Sequence, residues 1–122
     1  MNQILIVEDE TRLAAFVEKG LRKSGYITVI AEDGKRAIET VLNKQFDLVV
    51  LDLGLPIKDG FTVLQELRSR GEKLPVIVIT ARSNEEDKVK AIAYGANDYI
   101  TKPFRFQDLL SSVKEHLLLV KS

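Results

Sequence analysis

Short apolar runs and amphipathic stretches alternate along this chain, five of each. Gln3 to Val7 is too short for a buried helix and reads as a strand, ending in Glu8-Asp9-Glu10. Leu13, Phe16, Val17 and Leu21 then recur at helical spacing, a stripe that Asp9 or Thr11 would cap and Ser24-Gly25 would stop. Tyr26 to Ala31 alternates, as expected of a strand with one more open face, plausible at a sheet edge. Asp33-Gly34 opens a second helix with Ala37, Ile38, Val41 and Leu42 inward. Leu48 to Leu51 is wholly apolar and suits a strand buried on both faces. It ends at Asp52, before Gly54 and Pro56 turn the chain.

Asp59 would cap a third helix carrying Val63, Leu64 and Leu67, which Arg70-Gly71 ends. Val76 to Ile79 is another apolar strand, closing at Thr80. The fourth helix, roughly Asn84 to Tyr94, is polar, with a thin stripe of Val89, Ile92 and Ala93. Tyr99 to Thr101 forms a short fifth strand. After Lys102-Pro103-Phe104, a last helix turns Phe106, Leu109, Leu110, Val113 and Leu117 inward. Strict βα alternation with short loops predicts an α/β domain, a doubly wound five-stranded parallel sheet covered by helices on both faces. With strand two at an edge, the favoured order is 2-1-3-4-5, whose switch point lies between strands one and three.

Composition narrows the function. At 122 residues, residues 1–122 are expected to form one domain. Eighteen basic and eighteen acidic residues cancel, and no Lys/Arg cluster is present, which argues against direct nucleic-acid binding by these residues. The chain has no cysteine, so it carries no disulfide framework and no thiolate metal site. No basic stretch precedes the first apolar run and no apolar segment is long enough to span a membrane. A cytoplasmic protein with no membrane partner is the expectation.

The predicted topology delivers Glu8, Asp9 and Asp52 to one rim of the sheet, where open α/β folds bind ligands, with Thr80 and Lys102 beside them. Two carboxylates about 5 Å apart repel by about 3 kcal/mol at an effective dielectric near 20. A hard divalent cation removes that cost, and Mg²⁺ fits an oxygen-only, water-rich site, with Mn²⁺ as an alternative. An aspartate beside such an ion is a nucleophile for a phosphoryl group, and a lysine and a hydroxyl would supply the remaining donors. Taken singly, each of these residues has a plainer reading: Asp9 a helix cap, Thr80 a loop hydroxyl, Lys102 a surface charge. Their joint placement is what carries the chemistry. His116 has no acid nearby in the predicted last helix and reads as solvated.

The acidic pair Glu8-Asp9, Asp52, Thr80-Ala81, Tyr99 and Lys102-Pro103, in this order at successive strand ends, resembles the receiver domain of two-component response regulators over essentially the whole chain. The resemblance implies the flavodoxin-like (βα)5 receiver fold and a signalling switch rather than a conventional enzyme. Asp52 would accept a phosphoryl group from the phosphohistidine of a sensor histidine kinase. Asp9, Asp52 and the Gly54 backbone carbonyl would ligate Mg²⁺, with Glu8 acting through a water. Lys102 would pair with the phosphoryl group, and Thr80 and Tyr99 would carry the change to the face of the fourth helix, fifth strand and fifth helix. The Lys102-Pro103 bond would be cis. Arg82 and Gly54 would flank the path of a hydrolytic water.

The wording Asp52-Leu53-Gly54-Leu55-Pro56 and Gly95-Ala96-Asn97-Asp98-Tyr99 is closest to the OmpR/PhoB-type subfamily. Members pair such receivers with a winged-helix DNA-binding domain and dimerise through that face by charged pairs. Lys88, Asp98, Asp108 and Lys114 keep the pattern, whereas Ala93, Asn97, Ser112 and Leu119 depart from it. A homodimer and control of a DNA-binding output domain beyond these residues are the expectations. The alternative is a stand-alone single-domain regulator acting through protein contacts. A phosphatase with an aspartyl nucleophile would need a second Asp at position 54, which is Gly.

Overall fold

The computed structural model describes residues 2–121. Its elements run β1 (Gln3–Val7), α1 (Thr11–Lys23), β2 (Ile27–Ala31), α2 (Gly34–Asn43), β3 (Leu48–Asp52), α3 (Gly60–Ser69), β4 (Val76–Thr80), α4 (Glu85–Ala93), β5 (Asp98–Thr101) and α5 (Phe106–Lys121). The five strands form one parallel sheet in the order β2-β1-β3-β4-β5. The predicted edge position of β2 is therefore correct.

Side-chain alternation along the strands divides the core in two. Leu5, Val7, Val49, Leu51, Val76 and Val78 face α2, α3 and the buried Ala91 of α4. Ile4, Ile6, Leu48, Val50, Ile77 and Ile79 face α1 and α5. These twelve residues have no solvent exposure, which makes the register costly to slip, since one step would exchange the two faces. The register pairs Val7 with Leu51, Asp52 with Ile79 and Thr80 with Thr101. The residues that end each strand are thereby brought to a common rim.

Three of the helix starts follow local capping chemistry. The side chains of Asp33, Asp59 and Asn84 accept from the backbone N–H of Arg36, Thr62 and Asp87 at 2.8, 3.0 and 2.9 Å. The start of α1 does not: its N-cap is Glu10, whose side chain makes no capping bond, so neither Asp9 nor Thr11 takes that role. Phe16 and Leu42, expected inward, are about half exposed. The largest correction concerns α4. Val89, Ile92 and Ala93 face outward, and the helix is seated on Ala91 instead. Its apolar stripe is real, but among the described residues it is left exposed, and Ala91 is the helix residue that the core buries. His116 is not solvated: it is half-buried, with Nδ1 2.7 Å from the Ser112 carbonyl oxygen.

Arg68, in the last turn of α3, joins three segments. Its guanidinium donates to the carbonyl oxygens of Gly95 (2.8 and 3.2 Å), Glu72 (2.7 Å) and Leu74 (2.8 Å), and to Asn97 Oδ1 (3.1 Å). Asn97 Oδ1 also accepts from Val76 N at 2.9 Å, so this side chain starts β4 instead of facing a partner molecule. Burial lowers the Arg68 pKa from its usual value, yet the group keeps its charge at any ordinary pH. Replacing Arg68 with Met should cost about 2–3 kcal/mol, because the carbonyls it serves lose a charged donor. Arg70→Met, which removes only an exposed 4.0 Å pair with Glu66, should cost under about 0.5 kcal/mol. Urea unfolding of the two variants checks the contrast.

Candidate functional site

Glu8 and Asp9 follow β1, Asp52 closes β3, Thr80 closes β4 and Lys102 follows β5. A carboxylate oxygen from each of Glu8, Asp9 and Asp52 lies within 4.8 Å of the others. Asp9 is exposed, whereas Glu8 and Asp52 are buried, at 1% and 5% exposure. The Lys102 ammonium lies between the two buried acids. It donates to Glu8 Oε1 at 2.8 Å and stands 3.5 Å from Asp52 Oδ2. Backbone donors complete the carboxylates: Glu10 N reaches Glu8 Oε2 at 3.1 Å and Gly54 N reaches Asp52 Oδ1 at 3.2 Å.

Burial pushes the Glu8 carboxyl up to about 7 from its ordinary 4.5, against the lowering pull of the Lys102 hydrogen bond. Lys102 is drawn down by burial, but its bond to Glu8 and the charges of Asp52 and Glu8 outweigh this and raise it overall. Two buried acids share one ammonium, so the centre carries more negative charge than its own cation offsets. An oxygen-only donor set with that surplus suits a hard divalent cation.

Two glycines let the loop after β3 pack closely beside this centre. A Cβ on Gly60 would collide with the Asp52 carbonyl oxygen, and one on Gly34 with that of Lys58. The loop is therefore pressed between the end of β3 and the start of α2. Gly60 N donates to Leu53 O at 2.8 Å, and Lys58 pairs with Glu66 of α3. On the other side, the Arg82 backbone is gripped twice: its N–H donates to Thr80 Oγ1 at 3.0 Å, and its carbonyl accepts from the Tyr99 hydroxyl at 2.7 Å. Phe61 packs edge-on to Tyr94, with Lys90 Nζ 4.2 Å and the Arg82 guanidinium 5.6 Å from its ring centre. The Lys102-Pro103 peptide is cis.

This geometry, acids from β1 and β3 with a hydroxyl from β4 and a lysine after β5, has a family behind it. Residues 4–114 match the family model described as the response regulator receiver domain. The chain belongs to that family. The receiver is 43% identical over 117 residues to the response regulator ArlR of Staphylococcus saprophyticus, covering 96% of this chain and 53% of that protein. It is 38% identical to the transcriptional regulatory protein PcoR of Escherichia coli, covering 100% of this chain and 54% of that protein. The chain thus spans about half the length of these curated relatives. Among solved structures, the response regulator TrrA of Thermotoga maritima in complex with Mg(2+)-BeF superposes with a TM-score of 0.86 at 31% identity, covering 94% of this chain and 98% of that one. The receiver is a signalling switch and not a conventional enzyme. No helix among the described residues is long and apolar enough to cross a membrane.

The residues expected at a dimer face are treated unequally by the fold. Lys88, Asp108 and Lys114 are exposed and join no ion pair among the described residues. Asp98 is engaged internally: Oδ2 accepts from Ser112 Oγ at 2.5 Å and Oδ1 from Tyr99 N at 2.8 Å. Ser112 Oγ lies 3.3 Å from His116 Nδ1, so an acid does stand two hydrogen bonds from that imidazole. Sequence reasoning missed this chain because its members come from β5 and α5, whose packing no local pattern encodes.

The raised Glu8 pKa has a stability consequence with a definite sign. The folded protein binds that proton more tightly than the unfolded chain, so the contribution is full below about pH 4.5 and is lost as pH rises to about 7. In chelator, the stability of the wild type relative to Glu8→Gln should therefore fall between pH 5 and pH 8. Urea unfolding at both values measures it, and a gap that stays constant or moves the other way would contradict the assignment.

Proposed function

We propose that this receiver accepts a phosphoryl group on Asp52 from the phosphohistidine of a sensor histidine kinase. The observation that carries the reading is the Asp52 carboxylate at the sheet rim, with Lys102 Nζ at 3.5 Å and the acids of β1 close by. The carboxylate oxygen forms the O–P bond as the P–N bond breaks, and the departing imidazole nitrogen keeps the electron pair and takes up a proton. Lys102 Nζ neutralises the phosphoryl oxygens and holds them in line. Asp9, Asp52 and the Gly54 carbonyl would hold Mg²⁺, or Mn²⁺ with the same oxygen preference, with Glu8 reached through water. The ion supplies charge neutralisation for the incoming group. TrrA is described in complex with Mg(2+)-BeF, which supports Mg²⁺ as the ion.

Thr80 and Tyr99 form the readout. Thr80 Oγ1 now accepts from Arg82 N, and turning toward a phosphoryl oxygen on Asp52 releases that backbone. The carbonyl of the same residue anchors Tyr99, so the β4–α4 loop and the tyrosine shift together. The change reaches α4, β5 and α5. There, exposed Val89 and Ile92, with exposed Lys88 on α4 and exposed Asp108 and Lys114 on α5, make a surface for a second copy. The relatives' names and double length favour control of a DNA-binding output domain over a stand-alone regulator.

Incubation with phosphoramidate and Mg²⁺ should give one phosphoryl group per chain by intact mass, labile to hydroxylamine. Asp52→Asn should gain none, chelator should abolish the gain, and Lys102→Ala should slow it about a hundredfold. A phosphorylated Asp52→Asn protein would sink the assignment. For the surface, beryllofluoride should shift sedimentation at tens of micromolar from monomer toward dimer, about the weak range expected of a small interface. Val89→Glu should leave it monomeric. A wild type that stays monomeric refutes the dimer.

A further inference from the structure

Arg82, in the loop before α4, and Lys90, on α4 itself, are exposed cations. Neither joins an ion pair among the described residues, although Glu85, Glu86 and Asp87 lie between them in the chain. Both meet the Phe61 ring of α3 instead. Lys90 Nζ lies 4.2 Å from the ring centre and the Arg82 guanidinium 5.6 Å. Tyr94 stands edge-on to Phe61, 6.0 Å between ring centres, and its own ring lies 5.6 Å from the same Lys90 Nζ. A cation within about 6 Å of a ring centre is attracted by the negative face of the ring. A solvated run of surface charge does not account for two cations converging on one aromatic side chain.

The ring belongs to the wall that holds Asp52. It follows Gly60, whose backbone lies against the Asp52 carbonyl oxygen where no Cβ would fit, and it is 5% exposed. Arg82, by contrast, is the residue at which the loop after β4 is gripped. Its N–H donates to Thr80 Oγ1 and its carbonyl accepts from the Tyr99 hydroxyl. Phe61 adds a third hold, on the side chain, and through Lys90 a hold on α4, a helix that otherwise buries only Ala91. When Thr80 and Tyr99 turn, the first two holds are released with them. The third has no part in that chemistry and opposes the shift.

We infer that Phe61 is a positioning residue for the switch, a cation–π latch that keeps Arg82 and Lys90, and with them the loop and α4, in the arrangement seen here. This rests on the phosphoacceptor reading above and on its readout through Thr80 and Tyr99. The latch sets how much of the switched arrangement is populated before a phosphoryl group arrives. A phosphoryl analogue that favours the switched arrangement binds with an apparent affinity proportional to that population. Weakening the latch therefore tightens the analogue's binding while it removes a contact from the fold. A contact that only stabilised the fold would leave the affinity unchanged.

The test is a beryllofluoride titration in Mg²⁺, at protein concentrations below those of dimerisation, followed by tyrosine fluorescence, which no tryptophan obscures. Lys90→Gln and Phe61→Leu should each bind beryllofluoride about threefold more tightly than the wild type, the effect of one exposed cation–π contact. Lys90→Arg, which keeps a cation for the ring, should match the wild type. The double variant should match Phe61→Leu alone, because both changes break the same contact. Unchanged or weaker binding by Lys90→Gln overturns the latch while leaving Asp52 as acceptor, and so does a double variant whose two effects multiply. Should Phe61→Leu fail to fold, Lys90→Gln against Lys90→Arg decides, since both replace an exposed side chain. A wild type that neither binds beryllofluoride nor accepts from phosphoramidate removes the phosphoacceptor reading and the latch with it.

Discussion

Two carboxylates buried around one ammonium are the constraint on which the rest of this structure depends. Glu8 and Asp52 are removed from water almost completely, and Lys102 is the cation that reaches both. Burying such groups is tolerable only with close, well-directed partners. The partners come from elements 94 and 50 residues away in the chain, so their alignment depends on sheet register. The apolar strands supply it. Twelve fully buried strand residues, six on each face, leave no alternative pairing that keeps both layers dry. The hydrophobic core thus acts as the alignment device for the polar site at its rim.

The outer shell of the site is rigid on one side and lightly held on the other. Toward α2 and α3, backbone lies on backbone at Gly34 and Gly60, where no side chain would fit. Toward α4, the helix buries one alanine, and its surroundings are held by a tyrosine hydroxyl on a carbonyl, the Phe61 ring against Tyr94 and nearby cations, and Arg68 on the Gly95 carbonyl. Few buried apolar contacts mean a low local cost of displacement. On the proposed phosphoacceptor reading, a charge added at Asp52 would be relieved by movement of the α4 side, while the α3 side holds the Asp52 carboxylate in place. The outward apolar stripe of α4 puts that movement where a partner can sense it.

Much of this was legible in the sequence. The ten elements, the edge position of β2, the Asp59 helix cap and the five residues at the rim all follow from patterns read within a few positions. Helix α4 shows the limit of such reading. Val89, Ile92 and Ala93 lie at helical spacing, and periodicity shows that a helix has an apolar side without saying whether the chain or another molecule covers it. Asn97 and Ser112 mark the same limit. Each replaces a charge expected on an interaction surface, and each turns out to bond inward, to Val76 and Arg68 or to Asp98.

By itself, then, the sequence determined the order of strands and helices, the two-faced burial of β1, β3 and β4, and the acids, hydroxyl and lysine that end up at strand termini. These are local properties, carried by side-chain periodicity and turn chemistry. Only the tertiary structure decided the rest: Lys102 shared between Glu8 and Asp52, Arg68 serving three carbonyls in two loops, the Asp98–Ser112–His116 chain, and the left-handed turn at Ile57. Each of these is a contact or conformation set by segments distant in the chain. Hydrogen-bond partners and backbone strain are fixed when the layers close, and no run of neighbouring residues contains that information.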